Sequence, residues 1–408
     1  MGLFLHMDKK IRIAIIGLGY VGFPLAKSFS KFYKTVGYDI NIDLINNLNN
    51  KKLDNLIMSS DSDCLLDSNV YIITVPTPVT KANQPDLSYL ESASKIVGKY
   101  LKKDDIVIYE STVYPGVTED ICVPILENQS NLTYNTHFFC GYSPERISPG
   151  DSSKSLENIV KITSGSNKKT ANFVDNLYSK IVKAGTYKVN SIKIAEASKV
   201  IENTQRDVNI ALMNEFAMMF DSLNIPTNEV LDAAKTKWNF IDYTPGLVGG
   251  HCIGVDPYYL IFKSKQSGFI PDLIKTSREI NNSVPEFVVN KVKNEIHSLP
   301  NNNTYDILVL GYTFKENCSD IRNTKVNDIV IGLRQINCNV DIYDPLLQTD
   351  NIMTKNPFKN SKKYDIFILA VAHNIFYELT KNDFLKISKG NLVLLDLKNV
   401  YSFATWKF

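Results

Sequence analysis

A short branched apolar run, Ile11-Arg12-Ile13-Ala14-Ile15-Ile16, leads into Gly17-Leu18-Gly19-Tyr20-Val21-Gly22 and then into an apolar pattern at Phe23, Leu25, Ala26 and Phe29. The order is strand, glycine turn, helix. Gly17 permits the tight turn, Gly19 bares backbone for a pyrophosphate, and Gly22 lets the helix pack on the strand with its N-terminus toward the phosphates. The next apolar run, Thr35-Val36-Gly37-Tyr38, ends at Asp39, 22 residues after Gly17, where a carboxylate accepts from both ribose hydroxyls. Because that charge repels a 2′-phosphate, the spacing predicts NAD rather than NADP. Gly17, Gly19, Tyr20, Val21, Gly22 and Asp39 are the expected cofactor contacts.

The same alternation continues. Val70 to Val75, Ile106 to Glu110 and Phe138 to Tyr142 read as buried parallel strands. Each is followed by a Pro-, Thr- or Ser-rich loop: Pro76-Thr77-Pro78, Ser111-Thr112-Val113-Tyr114-Pro115-Gly116 and Ser143-Pro144-Glu145-Arg146. Ligands of doubly wound sheets bind at the carboxyl ends of the strands, so these loops form the expected rim of the cofactor site. From about Ser191 to Leu223 no Gly or Pro interrupts one long helix, on which Lys199, Asn203 and Arg206 share a face at i, i+4 and i+7. Such a stripe is either a solvated surface or the lining an anionic ligand needs. The last hundred residues repeat the strand-helix theme in Asp306 to Gly311, a helix from about Lys325, Val340 to Tyr343, Asp365 to Val371 and Leu392 to Asp396, without the glycine fingerprint. Phe314, Lys315 and Arg322, after the first of these strands, are placed to bind a different nucleotide. The expected architecture is α/β, with two Rossmann-like doubly wound parallel-sheet domains joined by the long helix: residues 1–190 for NAD, 191–298 as a helical connector and dimerisation region carrying catalytic residues, and 299–408 for the second nucleotide.

Gly249-Gly250-His251-Cys252-Ile253-Gly254-Val255-Asp256-Pro257 sets a cysteine after paired glycines, with a carboxylate four residues on. A thiolate is the strongest nucleophile among ordinary side chains. The bland alternative is a small buried hydrophobe. His251 is expected to shape the loop rather than to catalyse. The six cysteines lack CxxC spacing, which argues against a disulfide framework and against a metal site and suits a reducing cytoplasm. A formal net charge of +2 gives no field to recruit nucleic acid, and no apolar run is long enough for a membrane span. The apolar patch in Met1 to Lys10 is too short for a signal peptide, and Met7 is an alternative start.

Taken together, GLGYVG, VPTP, YESTVYPG, SPER, EASKVIENTQRD, GLVGGHCIGVDP and GYTFKENCSDIRNT resemble the UDP-sugar 6-dehydrogenases over essentially the whole chain, and most of all the branch acting on UDP-N-acetylhexosamines for bacterial surface polysaccharides. The resemblance implies oxidation of a C6 hydroxyl to a carboxylate with two NAD, by a homodimer. It implies that Cys252 is the nucleophile carrying a thiohemiacetal and then a thioester, that Asp256 assists water or proton transfer, that Lys199 and Asn203 stabilise developing oxyanion charge, and that Thr112 positions water near the cofactor. Arg146, Ile147, Lys199, Asn203, Arg206, Gly249, Phe314 and Lys315 match substrate contacts; Thr77 and Arg322 match cofactor contacts. UDP-glucose dehydrogenases carry a deacylating glutamate where this chain has Pro149, so that role does not transfer and a compact ring leaves room beside the sugar. The expected substrate is UDP-N-acetylglucosamine, with the galacto and manno epimers as alternatives. Outside that family, a non-catalytic nucleotide-sugar binder and a hydroxyacid or 6-phosphogluconate-type dehydrogenase are the competing readings, although the latter enzymes need neither the cysteine nor a second Rossmann domain.

Overall fold

The computed structural model describes residues 11–50, 53, 55–147, 155–300, 303–348, 352–353 and 355–408. Pro149 and both candidate start methionines lie outside them. The chain divides into two compact units, one running to Glu202 and including Tyr258–Phe269, the other comprising Asn203–Pro257 and Ile270–Phe408.

In the first unit the strands are β1 (Arg12–Ile16), β2 (Lys34–Tyr38), β3 (Leu56–Ser59), β4 (Val70–Ile73), β5 (Ile106–Tyr109), β6 (Phe139–Tyr142), β7 (Lys161–Gly165) and β8 (Thr186–Lys188). They form one sheet in the order β3-β2-β1-β4-β5-β6-β7-β8. The order reverses between β1 and β4, which is where a doubly wound sheet opens a ligand crevice. Helices α1 (Gly22–Phe29), α2 (Ile42–Asn49), α3 (Ser88–Tyr100), α4 (Val123–Ser130) and α5 (Lys168–Ser179) connect the strands. Every residue of β4 and β5 is buried, as the continuous apolar runs require of strands covered on both faces.

One detail departs from the expected all-parallel sheet. β7 pairs antiparallel with β6, Gly141 opposite Gly165 and Tyr142 opposite Ser164, and β8 then pairs parallel with β7. Among the described residues of the connection only a short 3-10 turn, Leu156–Asn158, precedes β7, and antiparallel neighbours need no long crossover between them.

Helix α6 (Ile192–Ser222) runs 31 residues without interruption, as the absence of Gly and Pro requires. It is followed by α7 (Thr227–Lys235), α8 (Asp256–Gln266) and α9 (Asp272–His297). In the second unit, β9 (Tyr305–Leu310), β10 (Cys338–Tyr343), β11 (Ile366–Leu369), β12 (Leu394–Asp396) and β13 (Trp406–Lys407) form an all-parallel sheet ordered β10-β9-β11-β12-β13, with α10 (Val326–Gln335) and α11 (Lys381–Lys386) among its connections. Val284, Val288 and Val292 of α9 join Ile307 and Val309 of β9 and Ile329 and Leu333 of α10 in its core.

Three buried carboxyls stand out in the first unit. Asp105 precedes β5 and accepts from the Lys102 amide, Glu110 follows β5 and pairs with Lys161 Nζ at 2.6 Å, and Glu196 of α6 accepts from the Gly116 and Thr118 amides at 2.6 and 2.9 Å. Burial raises each carboxyl to about 7, against the amides, and in Glu110's case against the Lys161 charge. The folded state therefore binds more protons than the unfolded chain between about pH 4.5 and 7, and stability falls as pH rises through that window. Thermal unfolding followed at pH 5, 6, 7 and 8 is expected to give a falling Tm; a flat or rising profile contradicts the assignment.

Candidate active site

The first unit builds its dinucleotide turn as the glycine spacing requires. Gly17 has φ of +92° and donates its amide to Tyr38 O at 2.8 Å. Gly22 is packed so tightly that a Cβ would lie 1.8 Å from Gly17 O and 2.5 Å from Thr74 Oγ1, whereas nothing lies within 4 Å of a Cβ on exposed Gly19. The turn is thus closed where it supports the helix and open where phosphates approach. Asp39, half-buried, is aimed by two amides, Oδ2 accepting from Leu18 N at 2.7 Å and Oδ1 from Asn41 N at 2.9 Å. Tyr20 is exposed and Val21 half-buried beside them. Open backbone at the start of α1 with a carboxylate at the end of β2 is the donor and acceptor set that NAD needs, and these residues fit it.

The rim loops are cross-tied. Thr77 Oγ1 donates to Thr112 O at 2.6 Å, Ser111 Oγ to Val75 O at 2.6 Å, and Tyr259 OH to Thr77 O at 2.7 Å. Thr112 and Thr77 are thereby brought together at the carboxyl ends of β4 and β5.

Beyond β6, the Glu145 carboxylate holds its own loop: Oε1 accepts from the Arg146 and Ile147 amides at 2.6 Å each, and Oε2 faces Lys161 Nζ at 3.3 Å. Ile147 packs against the first unit's core. Arg146 was expected on substrate. Its Nε and Nη2 meet both Glu202 carboxylate oxygens at 3.2 and 2.8 Å, and Nη1 donates to Val160 O at 2.7 Å.

On α6, Lys199 and Asn203 are both 8% exposed and one turn apart, while Arg206 on the same face is exposed. In the second unit Asn203 Nδ2 donates to Asp256 Oδ2 at 2.6 Å and so helps to orient a carboxylate that is itself only 2% exposed. Asp256 begins α8, and its amide and that of Val255 close on Cys252 O at 2.8 and 3.0 Å, placing the cysteine one turn before the helix. The paired glycines belong to packing: a Cβ on Gly249 would lie 2.7 Å from Asn323 O, and on Gly250, with φ of +77°, 2.7 Å from the Phe314 ring. Gly249 and Phe314 are thus brought beside the cysteine loop. The half-buried Lys315 is held next to them, its carbonyl accepting from Thr313 Oγ1 at 2.9 Å.

Two features escaped the sequence reading. Cys252 Sγ lies 3.2 Å from His251 Nδ1, and His251 Nε2 lies 3.6 Å from Asp320 Oδ2. Arg322, expected to reach cofactor, holds that same Asp320 through Nε, at 3.0 Å from each oxygen, and through Nη2. The neighbouring histidine was visible in the sequence; its partner 69 positions away was not.

Three signatures of the UDP-glucose/GDP-mannose dehydrogenase family match in series: the NAD binding domain at residues 11–182, the central domain at 193–283 and the UDP binding domain at 308–403. The chain is 47% identical to the UDP-N-acetyl-D-glucosamine 6-dehydrogenase of Salmonella typhi over 96% of each chain, and 45% identical to Protein CapL of Staphylococcus aureus over 95% of this chain and 96% of that one. Among solved structures, the UDP-D-ManNAc dehydrogenase of Pyrococcus horikoshii superposes with a TM-score of 0.89 at 31% identity, covering 97% of this chain and 98% of the other.

The two glycines separate fold from binding. Gly19→Ala is expected to leave Tm within about the shift of a 0.5 kcal/mol surface change while weakening NAD binding by tenfold or more in a calorimetric titration. Gly22→Ala, driving a methyl into Gly17 O, is expected to destabilise by about 3 kcal/mol. Equal effects of the two would refute this division of roles.

Proposed function

The chain belongs to the UDP-glucose/GDP-mannose dehydrogenase family, and we propose that within it this protein oxidises the C6 hydroxyl of UDP-N-acetylglucosamine to the carboxylate, reducing two NAD per sugar. The observation that carries the reading is the cysteine loop, in which Cys252 sits one turn before the Asp256 carboxylate that Asn203 orients. The nearly half-identical relatives named for UDP-N-acetyl-D-glucosamine support the choice of sugar. NAD, held by the Gly17–Gly22 turn and Asp39, supplies the electron acceptor for both oxidations.

The chain's own residues supply the rest. Lys199 and Asn203 stabilise charge developing on the C6 oxygen, where a desolvated donor acts far more strongly than in water. The Cys252 thiolate adds to the aldehyde carbon, the carbonyl pair moving to oxygen as a thiohemiacetal, and the second oxidation leaves a thioester. Water then cleaves the carbon–sulfur bond, releasing the carboxylate and the thiol, with Asp256 taking the water's proton and Thr112 placing the water. Arg206, Gly249, Phe314 and Lys315 contact the nucleotide sugar. Arg146 and Ile147 act by shaping their loop, given the Glu202 and Glu145 contacts, and Arg322 serves the nucleotide side.

We infer a homodimer. Ile194, Ile201, Leu212 and Met219 are all exposed and fall on one stripe of α6, an apolar face suited to a second copy. No helix among the described residues is long and apolar enough to cross a membrane, and all six cysteines are free, which a cytoplasmic enzyme requires.

NADH formation across a panel of UDP-sugars tests the reading. Two NADH per UDP-N-acetylglucosamine are expected, with kcat/KM well above that for UDP-glucose and the galacto and manno epimers below. One NADH per sugar removes the thioester route, zero marks a mere binder, and better turnover of UDP-glucose or of UDP-N-acetylmannosamine reassigns the substrate. Lys199→Ala is expected to lower kcat about 10²-fold; an effect confined to KM makes Lys199 a substrate anchor.

A further inference from the structure

We propose that His251 is the positioning residue that ionises Cys252: its Nδ1 takes the Sγ proton, and Asp320 across the ring holds the resulting imidazolium. The inference deepens the reading of Cys252 as nucleophile and rests on it.

The arrangement is a line of four side chains within the second unit. Sγ stands 3.2 Å from Nδ1, within hydrogen-bonding reach of a sulfur, and Nε2 on the far side of the ring stands 3.6 Å from Asp320 Oδ2. An anion beside Nε2 selects the tautomer that carries its proton there, which leaves Nδ1 with a lone pair facing the thiol. Transfer is balanced within the pair: the S–H bond breaks, an N–H bond forms, and a neutral thiol and imidazole become thiolate and imidazolium. At 3.6 Å the Asp320 contact is longer than a good hydrogen bond and acts through charge.

What holds each member in place is also visible. The His251 ring packs edge-on against Phe314, with centroids 5.8 Å apart at 61°, and the ring is less than a fifth exposed. Gly250, with φ of +77°, allows the close approach to that phenylalanine. Asp320 is fixed by the Arg322 amide and guanidinium. Burial works against its charge, yet the Arg322 hydrogen bonds and charge, with a contribution from His251, bring its carboxyl below the ordinary range, so it is an anion at any working pH. The charged and titratable groups facing this line include Cys252 itself, Asp320 with Arg322 behind it, and Asp256 one turn along, held by Asn203. A residue serving only to fill the loop needs the Phe314 contact alone; it does not need a carboxylate behind Nε2 and a sulfur in front of Nδ1.

The test reads the thiol in the resting protein, without substrate. Full-length wild type, His251→Gln, His251→Asn and Asp320→Asn are treated with iodoacetamide from pH 5.5 to 9.5, and alkylation is followed at the Cys252 peptide by mass spectrometry, with Cys252→Ser as the blank and near-ultraviolet circular dichroism as the check on folding. The expected result is that at pH 6.5 Cys252 of wild type reacts at least tenfold faster than in either histidine variant, the gap closing toward pH 9.5 as an ordinary thiol ionises by itself, with Asp320→Asn in between. Two different histidine replacements guard against one that fails to fold. Equal rates at pH 6.5 in folded variants overturn the inference, even in an enzyme that still yields two NADH per sugar. Failure of the proposed function looks different: no NADH from any UDP-sugar, with the alkylation gap intact.

Discussion

Each of the two large sheets ends its first strand by the same device, a glycine of positive φ whose amide is clamped by the end of the second strand and whose following amides are clamped by a carboxylate. Gly17 donates to Tyr38 O at 2.8 Å, and Asp39 receives the Leu18 amide; Gly311, with φ of +82°, donates to Tyr343 O at 2.9 Å, and Asp344 receives the Tyr312 and Thr313 amides at 2.7 and 3.2 Å. A turn so short leaves backbone donors that must be satisfied if the fold is to close, and the carboxylate at the next strand's end satisfies them. The sites then diverge. Asp39 remains half-exposed, available to ribose hydroxyls, whereas Asp344 is 1% exposed and capped by His373 Nε2 at 2.9 Å. The repeated turn thus leaves an open carboxylate in the unit matched as the family's NAD binding domain and forms a structural knot in the unit matched as its UDP binding domain.

The cysteine loop depends on a comparable constraint. Its glycines are fixed by what they press upon, Asn323 O and the Phe314 ring, both in the loop that follows β9. Asn323 Nδ2 returns a hydrogen bond to Gly250 O at 3.2 Å, and Phe314 N in turn bonds Asp320 O at 3.1 Å. A side chain at either glycine would lift the loop and with it the geometry of Cys252, because backbone and ring are poor at yielding. The glycines before Cys252 therefore serve the placement of its loop.

Much of this was legible beforehand because it is written in local pattern. The strand-glycine-helix order, the carboxylate after β2, the run of α6 and the alternation of the last hundred residues all follow from periodicity and turn chemistry over a few neighbouring residues. What was not legible is non-local. β7 runs antiparallel to β6, a direction that no periodicity encodes. Lys161 neutralises Glu110 from 51 positions away, and Glu196 caps the loop after β5 from 80 positions away. The histidine beside Cys252 read as a loop former because its role depends on Asp320, and a sequence shows a residue's type without showing what faces it. Pro149, which the sequence pattern set beside the sugar, lies outside the described residues.

Two of the three arginines that the sequence set against ligand illustrate the same point energetically. Arg146 meets Glu202 with both side chains about two-thirds buried and adds a carbonyl bond to Val160, so separating it strands a carboxylate at the edge of the core, a cost of the kind that keeps buried pairs together. Arg322 meets Asp320 with its own side chain 55% exposed but the carboxylate only 18% exposed, its Nε reaching both oxygens at 3.0 Å. Arg146 therefore belongs to the frame that fixes the start of the loop after β6 to α6, and Arg322 to the frame that fixes Asp320 in the loop after β9.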